Sequence, residues 1–229
     1  MPSIYDNGTY ASNVTDWHVS DSRYKADKVT ELVGGDFARF KHVAEVGCGA
    51  GEILRLLSCD YPDITFHGYE VSSQAYELCL QRQRSNLSFT LGDITKMDVH
   101  YDCILCLDVV EHVEDYIGFL KKIRSRGEFK VFNIPLDMSV TAIARVTPIE
   151  IARRMVGHLH YFSRESALAT LEYCGYEIII ERYNHPFERT KLAFTLSSLN
   201  AHARLAASRI APHLTARFLG GSQLLVVAK

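Results

Sequence analysis

The sequence predicts an α/β domain: a seven-stranded, mostly parallel sheet with helices on both faces and the last strand antiparallel. Three observations predict it. Short apolar runs alternate with amphipathic stretches through the middle of the chain, the pattern of strands alternating with helices. A glycine-rich turn, AEVGCGAGE over residues 44–52, joins the first such run to a helical pattern. A final apolar run, QLLVVA, follows Gly220-Gly221 and closes the sheet. At 229 residues the chain suits one domain over 1–229, long enough to bury an ample core without disulfides or a structural metal.

The elements follow in order. Asp21–Val33 is a first helix, with Ala26, Val29, Leu32 and Val33 on one face and Gly34-Gly35 ending it. HVAEVGCG is the first strand, running into the glycine turn, and a helix covers Glu52–Ser58. TFHGYEV is the second strand, with Ser72 or Ser73 starting the next helix. LSFTLGDI and YDCILCLDVV are the third and fourth, the latter followed by a helix near Asp115–Arg124, and EFKVFNIP is the fifth. Residues 136–161 form a long, irregular or partly helical connection, of the kind that serves as a lid or substrate-binding element. Ser163 then caps a helix with Glu165 in its first turn and Gly175 at its end, and YEIIIERY is the sixth strand. Residues 186–219 form a second, mostly helical insertion before the seventh strand.

Composition excludes several classes. Hydrophobic residues make up 47% and charged residues 23%, ordinary for a soluble globular protein. No apolar run approaches the ~20 residues that span a bilayer, and the polar start MPSIYDNGTY lacks a signal-peptide layout, so a cytoplasmic location is expected. Of the six cysteines, Cys103 and Cys106 form a C-x-x-C inside a strand. Residues three apart on a strand point to opposite faces, so they are read as core residues and not as a redox or metal pair.

The glycine turn carries the chemistry. Gly47, Gly49 and Gly51 form G-x-G-x-G between strand and helix, where glycines let backbone approach a ligand closely at unpaired N–H groups. In a dinucleotide fingerprint the third glycine would fall at position 52, which is Glu52. A carboxylate there would face a pyrophosphate, which disfavours NAD. Glu45, just before the loop, can attract a cationic amino group of a methionine moiety.

Together these residues resemble the class I, Rossmann-like S-adenosylmethionine-dependent methyltransferases of the bacterial small-molecule type. The acidic residue and glycine loop of that family match Glu45 through Gly51, with Cys48 between the glycines. The resemblance implies that Glu70, followed by Val71, binds the ribose hydroxyls, at the expected spacing from the loop. It further implies that Asp93 faces the adenine amino group, that Ile94 offers it a backbone amide, and that Leu107 and Asp108 lie beside the cofactor. S-adenosyl-L-methionine is then the donor and S-adenosyl-L-homocysteine the product. LDVVEHVED, residues 107–115, resembles the post-strand motif of many small-molecule members. Residues 10–27 resemble a leader that lies over the cofactor, making 1–35 a covering segment in which Trp17, His18, Asp21 and Lys25 face the site, Lys25 near the methionine carboxylate. An amphipathic helix with solvated charges is the alternative for that segment.

The sulfonium donor is already activated, so the protein must align an acceptor and take its proton. His112, beyond the fourth strand, is one candidate base, although by resemblance the Glu-His pair there also shapes the cofactor pocket. His158, His160 and Tyr161, on the loop just before the Ser163-capped helix, are others, with a loop packed by its own aromatics as the alternative. His185 and Arg189 are weaker candidates. No metal is expected: Asp108 and Asn133 could contribute, but no nearby acidic pair completes an oxygen site. The N/D-P-P-Y/F motif of base and glutamine N-methyltransferases is missing after the fourth strand, where LDVV stands; Asn133-Ile134-Pro135-Leu136 follows the fifth instead.

Net charge is −2, yet Arg189 to Lys229 carries +6 and the remainder −8. Arg204, Arg209 and Arg217 interleave with Leu205, Ile210, Leu214 and Phe218, and Pro212 divides the helix. This region is read as a helical cap or homodimer face; an anionic acceptor or peripheral membrane contact through 204–218 are the alternatives. Nucleic acid is disfavoured because no basic–aromatic platform accompanies the charge. The expected activity is methyl transfer to a small-molecule acceptor, by O-methylation of a sugar, nucleotide-sugar or secondary metabolite. N-methylation of a small amine, an RNA or protein acceptor, and a non-catalytic cofactor-binding partner are the alternatives.

Overall fold

A computed structural model describes residues 12–13, 16–186 and 204–229. Arg189, and residues 187–203 of the second connection, therefore lie outside the described residues, as do residues 1–11 and 14–15 of the N-terminal segment. Seven strands form one sheet in the order β3-β2-β1-β4-β5-β7-β6: β1 (His42–Val46), β2 (Thr65–Glu70), β3 (Leu87–Leu91), β4 (Tyr101–Leu107), β5 (Gly127–Pro135), β6 (Ile178–Asn184) and β7 (Gln223–Ala228). Strands β1 to β5 pair in parallel, and β7 runs antiparallel to both β5 and β6. The expected reversed last strand is thus present, inserted between β5 and β6.

The helices before β6 are α1 (Ser22–Val33), α2 (Glu52–Asp60), α3 (Ser73–Leu80), α4 (Tyr116–Arg124), α5 (Val140–Arg145), α6 (Thr147–Ile151) and α7 (Arg164–Tyr173). Their starts follow capping chemistry: the side chains of Ser72, Asp115 and Ser163 accept from Ala75, Gly118 and Ser166 amides. Gly34 ends α1 at φ +69° as expected, but the chain continues as a 3₁₀ turn over Gly34–Arg39. Phe37 of that turn is fully buried, and its apolar anchor outweighs the glycine pair's tendency to release the chain. Residues 136–161 contain two short helices and a widened turn over Ala152–Val156.

Each face of the sheet buries its own core. Ala26, Val29 and Leu32 of α1 pack with Leu54 and Leu57 of α2 on one face; Leu120 and Ile123 of α4 pack with Ala167 and Leu171 of α7 on the other. Strand alternation distributes β4 between them. Cys103 and Leu105 enter the first core while Ile104 and Cys106 enter the second, so the two thiols diverge and all six cysteines are free. At the C-terminal insertion Arg204 donates to the Leu219 and Gly220 carbonyls, a structural use for part of the basic charge. No helix among the described residues is long and apolar enough to cross a membrane.

Gly51 shows how tightly the loop is fixed. It sits at φ +76°, and a Cβ there would lie 2.6 Å from the Phe89 ring. Gly51→Ala is therefore expected to cost roughly 1–3 kcal/mol through left-handed backbone strain and overpacking. A denaturant melt of the variant checks it; an unchanged midpoint would count against this packing.

Candidate active site

The C-terminal ends of β1, β2 and β4 converge on a cavity of about 540 Å³. Parallel strands with crossover helices place such clefts there, outside the strand tips. After β1 the chain turns through Gly47, Gly49 and Gly51, all at positive φ. Gly47 allows close passage: a Cβ would lie 2.9 Å from Val109 Cγ2.

Glu70, at the tip of β2, organises this loop. Its Oε2 accepts the Gly49 amide at 2.8 Å, and its Oε1 accepts the Val71 and Ser72 amides, each at 2.8 Å. Burial raises its pKa, and the three amides oppose that rise. With about four lone-pair directions on a carboxylate, one on Oε2 stays available to a ligand. Glu45 is 2% exposed, and its pKa stands well above the usual carboxylate range because burial penalises the charge, with Lys25 opposing.

Asp108 is a junction. It follows β4 directly at φ +56°, in the left-handed region that a short polar side chain tolerates. Oδ2 pairs with Lys25 Nζ at 2.7 Å, and Oδ1 accepts Asn133 Nδ2 at 2.8 Å and Gln223 Nε2 at 3.1 Å. Burial is the largest single influence on Lys25 and would depress it, but the Asp108 charge and hydrogen bond, together with Asp21 and Glu45, outweigh it and the net shift is upward. Segments from α1, β4, β5 and β7 thus meet at one carboxylate.

Beyond Asp108, a short turn over Val110–His112 carries Glu111 and His112 into the cavity wall. Glu111 is fully buried; burial, then the Asp108 charge, pushes its carboxyl well above the ordinary range. The His112 ring lies 4.9 Å from the His158 ring at 79°, and burial followed by His158 pushes His112 down to about 4. His158 Nδ1 is 2.6 Å from Asp137 Oδ2.

The sequence candidates divide accordingly. Trp17, His18, Asp21, Lys25, Glu45, Gly47, Cys48, Gly49, Glu70, Val71, Leu107, Asp108, His112 and His158 all line the cavity. Trp17 and His18 adopt positive φ, and the Trp17 carbonyl lies 4.0 Å from where a Gly49 Cβ would sit. Lys25, expected near a carboxylate of the methionine moiety, is engaged by Asp108. Gly51, Asp93, Ile94, His160, Tyr161 and His185 are not among the lining residues. His160 Nε2 donates to the Val113 carbonyl at 3.0 Å and its ring packs on Tyr116, while Tyr161 donates to the His158 carbonyl. Those two brace the loop. Asp93 caps a turn by accepting the Thr95 amide. Glu111 stands where the resemblance puts the acid of the pocket-shaping Glu-His pair, whereas nothing in the sequence marks Asp137 or Gln223.

Residues 18–181 match the family model described as Methyltransferase domain. No curated protein sequence matches the chain. Among solved structures, one similar chain comes from the complex between a Haloferax volcanii methyltransferase activator and a methyltransferase, at 14% identity and TM-score 0.66, covering 100% of this chain and 98% of that one. A second is magnesium protoporphyrin IX methyltransferase from Synechocystis with bound S-adenosylhomocysteine, at 15% identity and TM-score 0.62, covering 94% and 86%. A third is the plantazolicin methyltransferase with the same product bound, at 14% identity and TM-score 0.62, covering 97% and 89%.

Proposed function

This chain belongs to the methyltransferase-domain family with S-adenosylmethionine as donor, and from that premise we propose that it methylates a hydroxyl group of a small, uncharged acceptor such as a sugar or secondary metabolite. The observation that carries this reading is the cavity itself. Its volume of about 540 Å³ must hold donor and acceptor together, within the ~300–1,000 Å³ typical of small-molecule sites.

Its lining sharpens the acceptor's charge. Asp21, Glu45, Glu52, Glu70, Asp108 and Glu111 face it. Lys25 neutralises Asp108, Arg55 and Arg82 pair with Glu52, and among the described residues no basic side chain of the lining other than Lys25 and the histidines offsets the rest. Such a lining suits the cationic donor and repels an anionic acceptor, which disfavours a nucleotide sugar. The two small-molecule methyltransferases above support a small acceptor.

The donor's methyl carbon is electrophilic without help, so this chain's residues orient, desolvate and take a proton. Glu45 holds the donor's ammonium, and the open lone pair of Glu70 takes a ribose hydroxyl. The glycine loop admits the donor close to backbone. Asp93 and Ile94 keep the adenine role that the family resemblance implies, although they lie outside the cavity lining. Glu111, His112 and His158 are the groups placed to receive the acceptor's proton.

Incubating the enzyme with isotope-labelled donor and a small-metabolite extract tests the reading. A labelled methyl ether of low mass is expected. Label found only in RNA or protein would overturn it. The acidic lining also favours a second reading, N-methylation of a small amine, which a labelled methylamine in the same experiment would identify.

A further inference from the structure

Glu111, His112 and His158 do more than border the cavity. Each offers one ligand atom, and the three atoms lie within 4.8 Å of one another. Glu111 is 0% exposed, and neither of its carboxylate oxygens has a hydrogen-bond partner among the described residues. A buried carboxylate left that way costs several kcal/mol if ionised, a cost that a cation entering from solution removes. His112 Nε2 lies 3.8 Å from Glu111 Oε1. That is too long for a hydrogen bond, but near the roughly 3.3–3.5 Å between two ligands bound tetrahedrally at about 2.0–2.1 Å.

The surroundings are built in the same sense. Asp137 Oδ2 sits 2.6 Å from His158 Nδ1, which fixes the tautomer and leaves the lone pair on Nε2. A carboxylate behind a ligating histidine is the usual outer support of such sites. The Glu111 carbonyl accepts the Leu159 and His160 amides, at 2.7 and 3.1 Å, so the loop bearing His158 is pinned to the turn bearing the other two. The all-oxygen set considered from sequence omitted His158, which only the fold brings to Glu111.

We propose that Glu111, His112 and His158 form a binding site for a divalent transition-metal ion of the zinc, manganese or cobalt kind, with its open positions facing the methyl-transfer cavity. Two imidazoles and one carboxylate suit those ions better than magnesium or calcium, which prefer oxygen sets. An acceptor hydroxyl is the natural further ligand; with the ion bound, the three side chains no longer take its proton directly, and the ion would instead acidify the hydroxyl so that the proton leaves to water. That last step rests on the hydroxyl reading above; binding of the ion does not.

The test uses full-length protein stripped by chelator and then titrated with Co²⁺, followed by visible absorption, with calorimetry for Zn²⁺, Mn²⁺ and Mg²⁺. One Co²⁺ per chain with ligand-field bands is expected, undisturbed by equimolar Mg²⁺. Glu111→Gln and His158→Gln should each weaken Co²⁺ binding at least ~100-fold, and Asp137→Asn about 10–100-fold. Donor binding retained by the variants shows that they are folded. Wild-type protein that binds donor but gives no cobalt spectrum overturns the site, as does a spectrum unchanged in both Glu111→Gln and His158→Gln. Ether formation without ion binding would leave the hydroxyl reading standing and remove the metal. Ion binding with label found only in RNA or protein would do the reverse.

Discussion

Replacing Glu70 with Ala is expected to weaken S-adenosylmethionine binding by roughly 100-fold. The carboxylate accepts three backbone amides, one of them from Gly49 in the loop. Hydrogen bonds to a charged group are worth about 1.5–3 kcal/mol each. Losing the loop anchor together with one ribose contact therefore approaches 3 kcal/mol, about two orders of magnitude in affinity. Glu70→Gln should fare nearly as badly despite its shape. A carboxamide has one acceptor oxygen, so its NH₂ end must face amide donors on the other side. Calorimetric titration of both variants measures the effect, and a Gln variant within about threefold of wild type would contradict it.

Glu45→Gln is expected to move stability and donor affinity in opposite directions. Burial raises the folded-state pKa of Glu45 well above its ordinary value. Such an acid contributes stability below its unfolded pKa of about 4.3, and that contribution is lost as pH rises toward the folded value. The neutral amide has no such loss. The variant's Tm relative to wild type should therefore climb between pH 5 and pH 8, by several degrees for ~1–2 kcal/mol. Donor affinity should fall at least tenfold, because the ammonium loses its counter-charge. Thermal melts at the two pH values, with and without donor, separate the effects. A Tm difference that is flat with pH would show that Glu45 is not held as a strained acid.

Much of this was legible in the sequence, for identifiable reasons. Short apolar runs and glycine breaks marked the strands, and the divergence of Cys103 and Cys106 followed from strand geometry alone. The loop from Glu45 to Gly51 and the acid at position 70 carry local spacing that backbone chemistry imposes. What stayed hidden depends on distant pairings. Gln223 reaches Asp108 only because β7 inserts beside β5, and no local pattern announces that register. Asp137 gains meaning only when the loop after Val156 returns His158 to it. His160 and Tyr161 show the converse: suggestive residue types on a suggestive loop, yet spent on backbone carbonyls.

The left-handed residues Trp17 and His18 line the cavity, with the Trp17 carbonyl in contact range of Gly49. If this segment covers the bound donor, as the family resemblance implies, donor and spent thioether would both have to pass it, and each cycle would include an opening interval, typically on the microsecond-to-millisecond scale. Turnover can then be limited by departure of the product and not by bond-making. A pre-steady-state burst of methylated product would be its kinetic signature.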